Sequence, residues 1–272
     1  MAHRLPDTGG NMKRIIVLGS RGMLGHMVCR FLSKHDLDVI TFNERWTPEN
    51  HTGLSVRLAQ MKPDACINAV GVREEPNTNH DMLLWINGTL PGLISKGLPA
   101  DCHLIHASSD AVFASTKQGC RWEESCNPDT EYGRSKHLGE LGLTRRNDWI
   151  IRTSIIGPEP SSQKSLMSWY LRQRKPVKGY TNQLWNGITT LEWARQSLNI
   201  IAENITRNEH ILQPGIHPPA SKYDLLKLIG RTFHHTVAVH PATSDYPVQR
   251  FLTPNVECPS LEEQLIQLAA FD

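Results

Sequence analysis

Membrane segments and a marked excess of one charge are both absent from this 272-residue sequence. No run approaches the roughly 20 apolar residues that a spanning helix needs, and the N-terminal MAHRLPDTGG has no apolar signal core. Lys and Arg number 29 and Asp and Glu 27, so the formal charge is +2 with no block of like charge. We therefore predict a cytoplasmic protein with no membrane or nucleic-acid partner.

Cysteine is sparse and its pattern carries no motif. The chain has six cysteines at irregular intervals, without a C-x-x-C pair and without a histidine spaced to complete a zinc site. We expect reduced thiols and no bound metal. The six are Cys29, Cys66, Cys102, Cys120, Cys126 and Cys258.

The first half of the chain alternates short apolar strands with amphipathic helices. With 39% hydrophobic and 21% charged residues, the composition predicts a buried core. Strands alternating with helices are typical of a parallel sheet covered on both faces. The predicted class is α/β, a Rossmann-type doubly wound parallel sheet. Strands are predicted at 13–18, 38–42, 65–70, 104–108 and 149–153, and helices near 24–31, 54–61, 81–96 and 131–145.

The pattern changes after residue 157, where a smaller C-terminal α/β lobe for the substrate is expected, since loops on a rigid scaffold carry specificity. Its predicted elements are a helix at 166–172, a loop at 177–186, a helix at 222–233 and an irregular tail. The predicted division is a flexible extension at 1–11, a Rossmann domain at 12–157 and a lobe at 158–188 and 205–272, with the helix at 189–204 returning to the first domain.

A glycine-rich turn follows the first predicted strand. Gly19-Ser20-Arg21-Gly22-Met23-Leu24-Gly25 has the form G-x-x-G-x-x-G between a strand and a helix. Glycines let the backbone approach a pyrophosphate, whose charge then meets the helix N-terminus. The same residues can form an ordinary tight turn, but their context predicts a dinucleotide cofactor site.

The end of the second strand bears on the choice of cofactor. An acidic residue there would bind the ribose hydroxyls of NAD, and Glu44 keeps NADH possible. Arg21 and Arg45 instead suit a 2′-phosphate. We predict NADPH, with Asn43 and Arg45 completing the adenosine site.

A tyrosine and a lysine are spaced to work together at the start of a predicted helix. In Tyr132-Gly133-Arg134-Ser135-Lys136, the phenol and the ammonium project from one face, and a cation there lowers the pKa of the phenol. Ser108-Ser109-Asp110 ends the preceding strand, at the edge where open parallel sheets bind ligands. We therefore predict that Ser109, Tyr132 and Lys136 converge.

Five ordered motifs together resemble extended short-chain dehydrogenases/reductases, and among them the dTDP-4-dehydrorhamnose reductase (RmlD-like) family. The resemblance covers nearly everything after Met12. The motifs are Gly19 to Gly25, Ile67-Asn68-Ala69-Val70-Gly71 with Asn87, Ala107-Ser108-Ser109-Asp110-Ala111-Val112-Phe113, Tyr132-Gly133-Arg134-Ser135-Lys136 and Ile151-Arg152-Thr153-Ser154-Ile155-Ile156-Gly157.

The resemblance implies a reductase of a nucleotide-linked 4-keto-6-deoxyhexose in deoxysugar and polysaccharide biosynthesis. Ser109 and Tyr132 would bind the sugar C4 oxygen, Tyr132 would protonate it, and Lys136 would hold the cofactor ribose. Further residues implied at the cofactor are Ala69, Val70 and Gly71, and those implied or weighed at the substrate are Asp110, Ser154, Trp185, Asn186 and Arg250. Trp185 is expected either to stack on the ligand or to lie in the core.

Two departures from the family leave the substrate open between dTDP- and UDP-linked sugars. Ala111 and Ile155 stand where relatives that reduce dTDP-4-dehydrorhamnose carry Tyr and Trp. An epimerase, or a bifunctional epimerase-reductase, is one alternative, and a non-catalytic NAD(P)-binding regulatory subunit is another. A homodimer is also expected.

Overall fold

The computed structural model of the protein describes residues 12–160, 164–203 and 210–271. The predicted extension at 1–11 and the stretch 204–209 lie outside the described residues. The strands are β1 (Lys13–Leu18), β2 (Leu37–Phe42), β3 (Ala65–Asn68), β4 (His103–Ala107), β5 (Asp148–Ile151), β6 (Ile155–Ile156), β7 (Val177–Tyr180), β8 (Leu184–Trp185), β9 (Ile188–Thr189), β10 (Ile211–Leu212), β11 (Ala220–Ser221) and β12 (Val239–Ala242).

The helices alternate with these strands in the first half of the chain. They are α1 (Met23–Leu32), α2 (Leu54–Met61), α3 (His80–Leu84), α4 (Leu90–Gly97), α5 (Glu131–Leu141), α6 (Leu166–Leu171), α7 (Thr190–Ile201), α8 (Lys222–Thr232) and α9 (Leu261–Ala269). Short 3-10 turns lie at His51–Gly53 and Asp110–Val112, and a π turn at Trp85–Thr89 joins α3 to α4. None of the described helices combines the length and apolarity needed to cross a bilayer.

The central sheet has six described strands in the order β10-β5-β4-β3-β1-β2, and all of their pairings are parallel. Alternate residues of β1 are buried on opposite faces. Ile15 and Val17 join the apolar cluster of α1 and α7, while Ile16 and Leu18 join that of α2 and α4. This two-sided burial explains the nearly continuous apolar run of β1 and confirms the predicted Rossmann-type α/β class.

The second part of the chain differs from the prediction. The expected loop at 177–186 contains β7 and β8, which pair with β12 and β11. The expected irregular tail contains β12 and α9, and α9 begins at a capping box made by Ser260 and Glu263. The strands were missed because segments of two to four residues are too short to show a hydrophobic period. Helix α9 was missed although Leu261, Leu265 and Leu268 recur at helical spacing.

The carboxyl ends of the sheet strands position the candidate site. The segments after β1, β3, β4 and β5 all leave from this edge, since the strands are parallel. The lobe elements α6, α8 and α9 pack together through α8. Helix α7 packs against α1 and also contacts α9, so it lies between the sheet layer and the lobe.

Candidate active site

The glycine turn after β1 is held closely against the end of β3. Gly19 has φ +76°, and a Cβ there would lie 3.0 Å from the backbone of Ala69 and Val70. At Gly25 a Cβ would lie 2.2 Å from the carbonyl oxygen of Gly19. No described side chain caps α1, whose N-cap is Gly22, so its first amides point into a cradle that suits a pyrophosphate.

The predicted adenosine site lies at the end of β2. The Ser20 hydroxyl donates to Asn43 Oδ1 over 2.6 Å, which joins the glycine turn to this strand end. Arg21 and Arg45 are both exposed at this place, whereas the Glu44 carboxylate accepts from Arg57. Neither guanidinium group forms a salt bridge with another residue that the structure describes.

Ser109 and Tyr132 lie together at the end of β4. Ser109 is buried and caps the 3-10 turn by accepting from the Ala111 amide at 3.1 Å. It also hydrogen-bonds to the Tyr132 hydroxyl. Burial raises the pKa of Tyr132, and so does the charge of Asp110, while the Ser109 hydrogen bond and the charge of Arg73 act to lower it. The structure therefore places a neutral phenol beside a hydroxyl, facing the same edge as the glycine turn.

Lys136 lies one turn after Tyr132 on α5 and is buried. Its Nζ donates to the Ala107 carbonyl at 2.7 Å. Burial lowers the pKa of Lys136 to about 8, although the charge of Glu140 acts to raise it. Arg73 and Arg250 also act to lower the pKa of Tyr132, and the predicted effect of Lys136 on the phenol stays a prediction.

Asp110 joins the 3-10 turn after β4 to the lobe. Its Oδ1 accepts from Ser109 at 3.1 Å and from Ser154 at 2.9 Å, and its Oδ2 accepts from Arg250 Nε at 3.1 Å. Arg250 also donates to the Phe113 carbonyl at 3.1 Å. The sequence analysis assigned Asp110, Ser154 and Arg250 to the ligand. The structure brings the three side chains together, but most of their hydrogen bonds are to one another.

Lys222 was missed by the sequence analysis. It is the first residue of α8, and its amine interacts electrostatically with Asp110 and Arg250. Burial lowers the pKa of Lys222. The only sequence signal was the helix start at Ser221, whose hydroxyl accepts from the Asp224 amide at 3.1 Å. Nothing in that local pattern indicates that the helix begins beside Asp110.

Two residues predicted at the substrate instead stabilise the lobe. Trp185 is only 8% exposed and belongs to the main apolar cluster. The Asn186 side chain donates to the Leu252 carbonyl at 2.7 Å and accepts from the Leu252 amide at 3.1 Å. We therefore assign Trp185 and Asn186 to packing and backbone pairing rather than to ligand contact, because their surfaces and polar atoms are already used.

Asn87 lies in the π turn between α3 and α4. Its side chain accepts from the Val72 amide at 2.9 Å and donates to the Val72 carbonyl at 2.8 Å and to Ser135 Oγ at 3.1 Å. One buried amide thus fixes the segment after β3 against α5. This contact holds the predicted cofactor segment at Ala69–Gly71 in register with the helix of Tyr132.

A buried carboxylate, Glu140, lies behind the site and was also missed. Burial raises its pKa, but the nearby His137 ring, the hydrogen bonds from Arg152 and Ser108 and the charge of Arg152 outweigh that effect and hold the pKa at about 2. Ligand atoms of Cys126, His137 and Glu140 lie within 4.8 Å of one another. Arg152 already neutralises this carboxylate, so the group does not favour a metal cation.

A Rossmann-type sheet, a glycine cradle and a Ser-Tyr-Lys set at one edge define the short-chain dehydrogenase/reductase class. Within that class, the chain belongs to the RmlD substrate binding domain family, whose sequence model matches residues 12–256.

Individual relatives are more distant. The spore coat polysaccharide biosynthesis protein SpsK of Bacillus subtilis is 29% identical over 154 residues, which cover 53% of this chain and 54% of that protein, so the match spans about half of SpsK. The structure of dTDP-4-dehydrorhamnose reductase from Bacillus anthracis with NADP has TM-score 0.83 at 18% identity, covering 95% and 98% of the two chains. That of WbmH from Bordetella bronchiseptica with NAD+ has TM-score 0.75 at 13% identity, covering 96% and 98%.

Proposed function

We propose that the protein is an NADPH-dependent reductase of a nucleotide-linked 4-keto-6-deoxyhexose in deoxysugar or surface polysaccharide biosynthesis. The observation that carries this proposal is the contact of Ser109 with Tyr132, with Lys136 one turn further along α5, at the same edge of the parallel sheet as the glycine cradle. Family membership and the relatives named above support the substrate class.

NADPH would supply the hydride to the sugar C4, with its pyrophosphate on the α1 N-terminus and its nicotinamide ribose near Lys136. Ser109 and Tyr132 hold the carbonyl oxygen by hydrogen bonds, which strengthen as negative charge develops there. Tyr132 gives its proton to that oxygen. The phenolate left behind is stabilised by the Ser109 hydroxyl and by the charges of Arg73 and Arg250.

Asp110 has an orienting part in this mechanism. Because its carboxylate binds Ser109, Ser154 and Arg250, it fixes the serine hydroxyl and anchors the lobe segment at Arg250 against the 3-10 turn after β4. Lys222 lies at the same place and offers a cation to an anionic part of the substrate. These groups define the lobe side of the proposed sugar site.

The substrate is tested by following NADPH oxidation with a panel of dTDP- and UDP-linked 4-keto-6-deoxy sugars, with and without an N-acetyl group at C2. We expect turnover of at least one member of the panel. The same sugar with its 4-keto group already reduced should give no turnover. A panel that supports NADPH binding but no turnover would favour the non-catalytic regulatory alternative.

Arg45 is proposed to read the 2′-phosphate of NADPH. Replacing Arg45 with Ala removes a charge-assisted contact of about 1.5–3 kcal/mol, so the ratio of kcat/KM for NADPH to that for NADH should fall about 10- to 100-fold. NADH is the internal control, because it lacks the phosphate. An unchanged ratio would assign the phosphate to another group, with Arg21 as the next variant.

We also propose a homodimer that uses the apolar surface of α3 and α5. Leu84, Leu138 and Leu141 are 44%, 46% and 63% exposed, which is high for leucines on neighbouring helices. Light scattering should give twice the chain mass, and Leu141→Asp should give the single-chain mass. A monomeric wild-type protein at micromolar concentration would contradict this proposal.

Finally, we place the protein in the cytoplasm. All six cysteines are free thiols in the structure, as expected for a reducing compartment. Burial raises the pKa of Cys66 well above the usual value and that of Cys102 to about 12, so these thiols are poorly reactive.

A further inference from the structure

Helix α5 carries a third polar residue in line with its two proposed catalytic residues. Tyr132, Lys136 and Glu140 follow one another at intervals of four, so they share one helix face. Glu140 is 6% exposed and therefore buried, whereas Tyr132 is half-buried. Glu140 nevertheless lies one helical turn from Lys136, a residue of the proposed site.

The Glu140 carboxylate joins three elements. Its Oε1 accepts from the Ser108 hydroxyl and from Arg152 Nε at 3.1 Å, and its Oε2 accepts from Arg152 NH2 at 2.8 Å. Ser108 immediately precedes Ser109 at the end of β4, and Arg152 follows β5. One side chain therefore fastens the ends of two central strands to the helix that carries Tyr132.

Arg152 is itself fixed on its other side. Its NH1 donates to Gln213 Oε1 at 3.1 Å and to the Trp122 carbonyl at 3.3 Å. Gln213 in turn donates to the Cys120 and Thr253 carbonyls, each at 3.1 Å. Because all three guanidinium nitrogens are bonded, Arg152 offers Glu140 a rigid partner rather than a mobile counter-ion.

Glu140 is also the anionic group that acts on the Lys136 amine. His106 on β4 is near Lys136, but burial lowers its pKa well below the usual value, so it stays neutral. The other titratable groups around Glu140 are Cys126, His137 and Arg152. Of these neighbours, Glu140 alone carries the charge that favours a cationic Lys136.

We propose that Glu140 is a positioning residue of the reaction: through Ser108 and Arg152 it holds the Ser108-Ser109 strand end against α5, and it places a buried carboxylate one helical turn from Lys136. The kinetic part of this inference depends on the proposed reductase function, whereas the state of Lys136 can be measured without turnover. Neither part places Glu140 in contact with substrate or cofactor.

The Lys136 amine is observed by NMR on full-length protein labelled with 13C at the lysine Cε, its resonance being assigned by its loss in Lys136→Arg. In wild type it should titrate at about pH 8. In Glu140→Gln the midpoint should lie about one pH unit lower, since an opposite charge has been removed. Glu192→Gln is the matched control, because Glu192 is 3% exposed and pairs with Arg195 on α7.

Glu140→Asp separates charge from geometry and retains the pairing with Arg152. We expect Lys136 to titrate near the wild-type pH in this variant. Because the shorter side chain withdraws from Ser108, kcat should fall at least about tenfold with KM for the sugar changed less than about twofold. Glu192→Asp should leave both constants unchanged.

Three outcomes would overturn the proposal. One is a Lys136 midpoint in Glu140→Gln equal to that of wild type. Another is a wild-type kcat in Glu140→Asp, which decides the matter if Glu140→Gln does not fold. The third is an equal effect of the Glu192 variants. If wild type turns over none of the 4-keto sugars, the proposed function fails, while the NMR titration still tests the effect of Glu140 on Lys136.

Discussion

Replacing Tyr132 with Phe is expected to lower kcat about 10²- to 10⁴-fold, the usual contribution of a positioned proton donor. The variant keeps the ring and loses only the hydroxyl that bonds to Ser109. Since Tyr132 is only half-buried, little stability should be lost with it. Stopped-flow turnover and NADPH binding by fluorescence are measured on the same preparation.

Tyr170→Phe is the matched control for this experiment. Its hydroxyl donates to the Val237 carbonyl at 3.0 Å in the lobe, outside the proposed site. That variant should lose about 1 kcal/mol of unfolding free energy at unchanged kcat. Near-normal turnover in Tyr132→Phe, with NADPH still bound, would contradict the proposed mechanism.

Replacing Lys136 with Met should lower kcat about 10²-fold or more and weaken NADPH binding, because the ammonium is lost from the ribose site. For wild type, kcat/KM measured against NADPH should fall as the pH rises through about 8, where Lys136 loses its proton. In Lys136→Met this decline should be absent from the residual activity. A wild-type pH profile that stays flat to higher pH would contradict the assigned role.

Replacing Lys136 with Met should also change how the free energy of unfolding depends on pH. The pKa of Lys136 is lowered from 10.5 to about 8 in the folded protein, so between these pH values the unfolded chain binds more protons. Burial of Lys136 therefore destabilises the folded protein fully below about pH 8. This destabilisation decreases as the pH rises from about 8 to 10.5, so the free energy of unfolding increases over that range. Urea unfolding of wild type and Lys136→Met is measured at several pH values. The difference between their free energies of unfolding then gives the contribution of Lys136.

The sequence predicted the sheet well because each of its early strands is buried on both faces. Ile15 to Leu18 form a continuous apolar run, and Gly19 and Gly25 are needed where the chain approaches itself. The lobe was predicted less well. Its strands β8 and β11 have two residues each and are defined by pairing with distant segments rather than by local periodicity.

The candidate site divides in the same way. Ser109, Tyr132 and Lys136 belong to local motifs, so their positions at the end of β4 and the start of α5 were predictable. Glu140 and Lys222 were not predictable, because their partners are distant in the sequence. Glu140 binds Arg152 and Lys222 lies near Asp110 only in the folded chain. The spacing of Tyr132, Lys136 and Glu140 was visible in the sequence, but without the position of Arg152 it did not distinguish a buried residue from a solvated one.

The central claim, that hydride passes to the sugar C4 while Tyr132 gives the proton, is tested most directly with NADPH deuterated at the transferred position. With a substrate found in the panel, NMR of the product should show deuterium at C4 only. Turnover in deuterated water should leave C3 and C5 unlabelled by the enzyme. Isomerisation without net NADPH oxidation, or enzymatic solvent labelling at C3 or C5, would contradict the account and favour an epimerase.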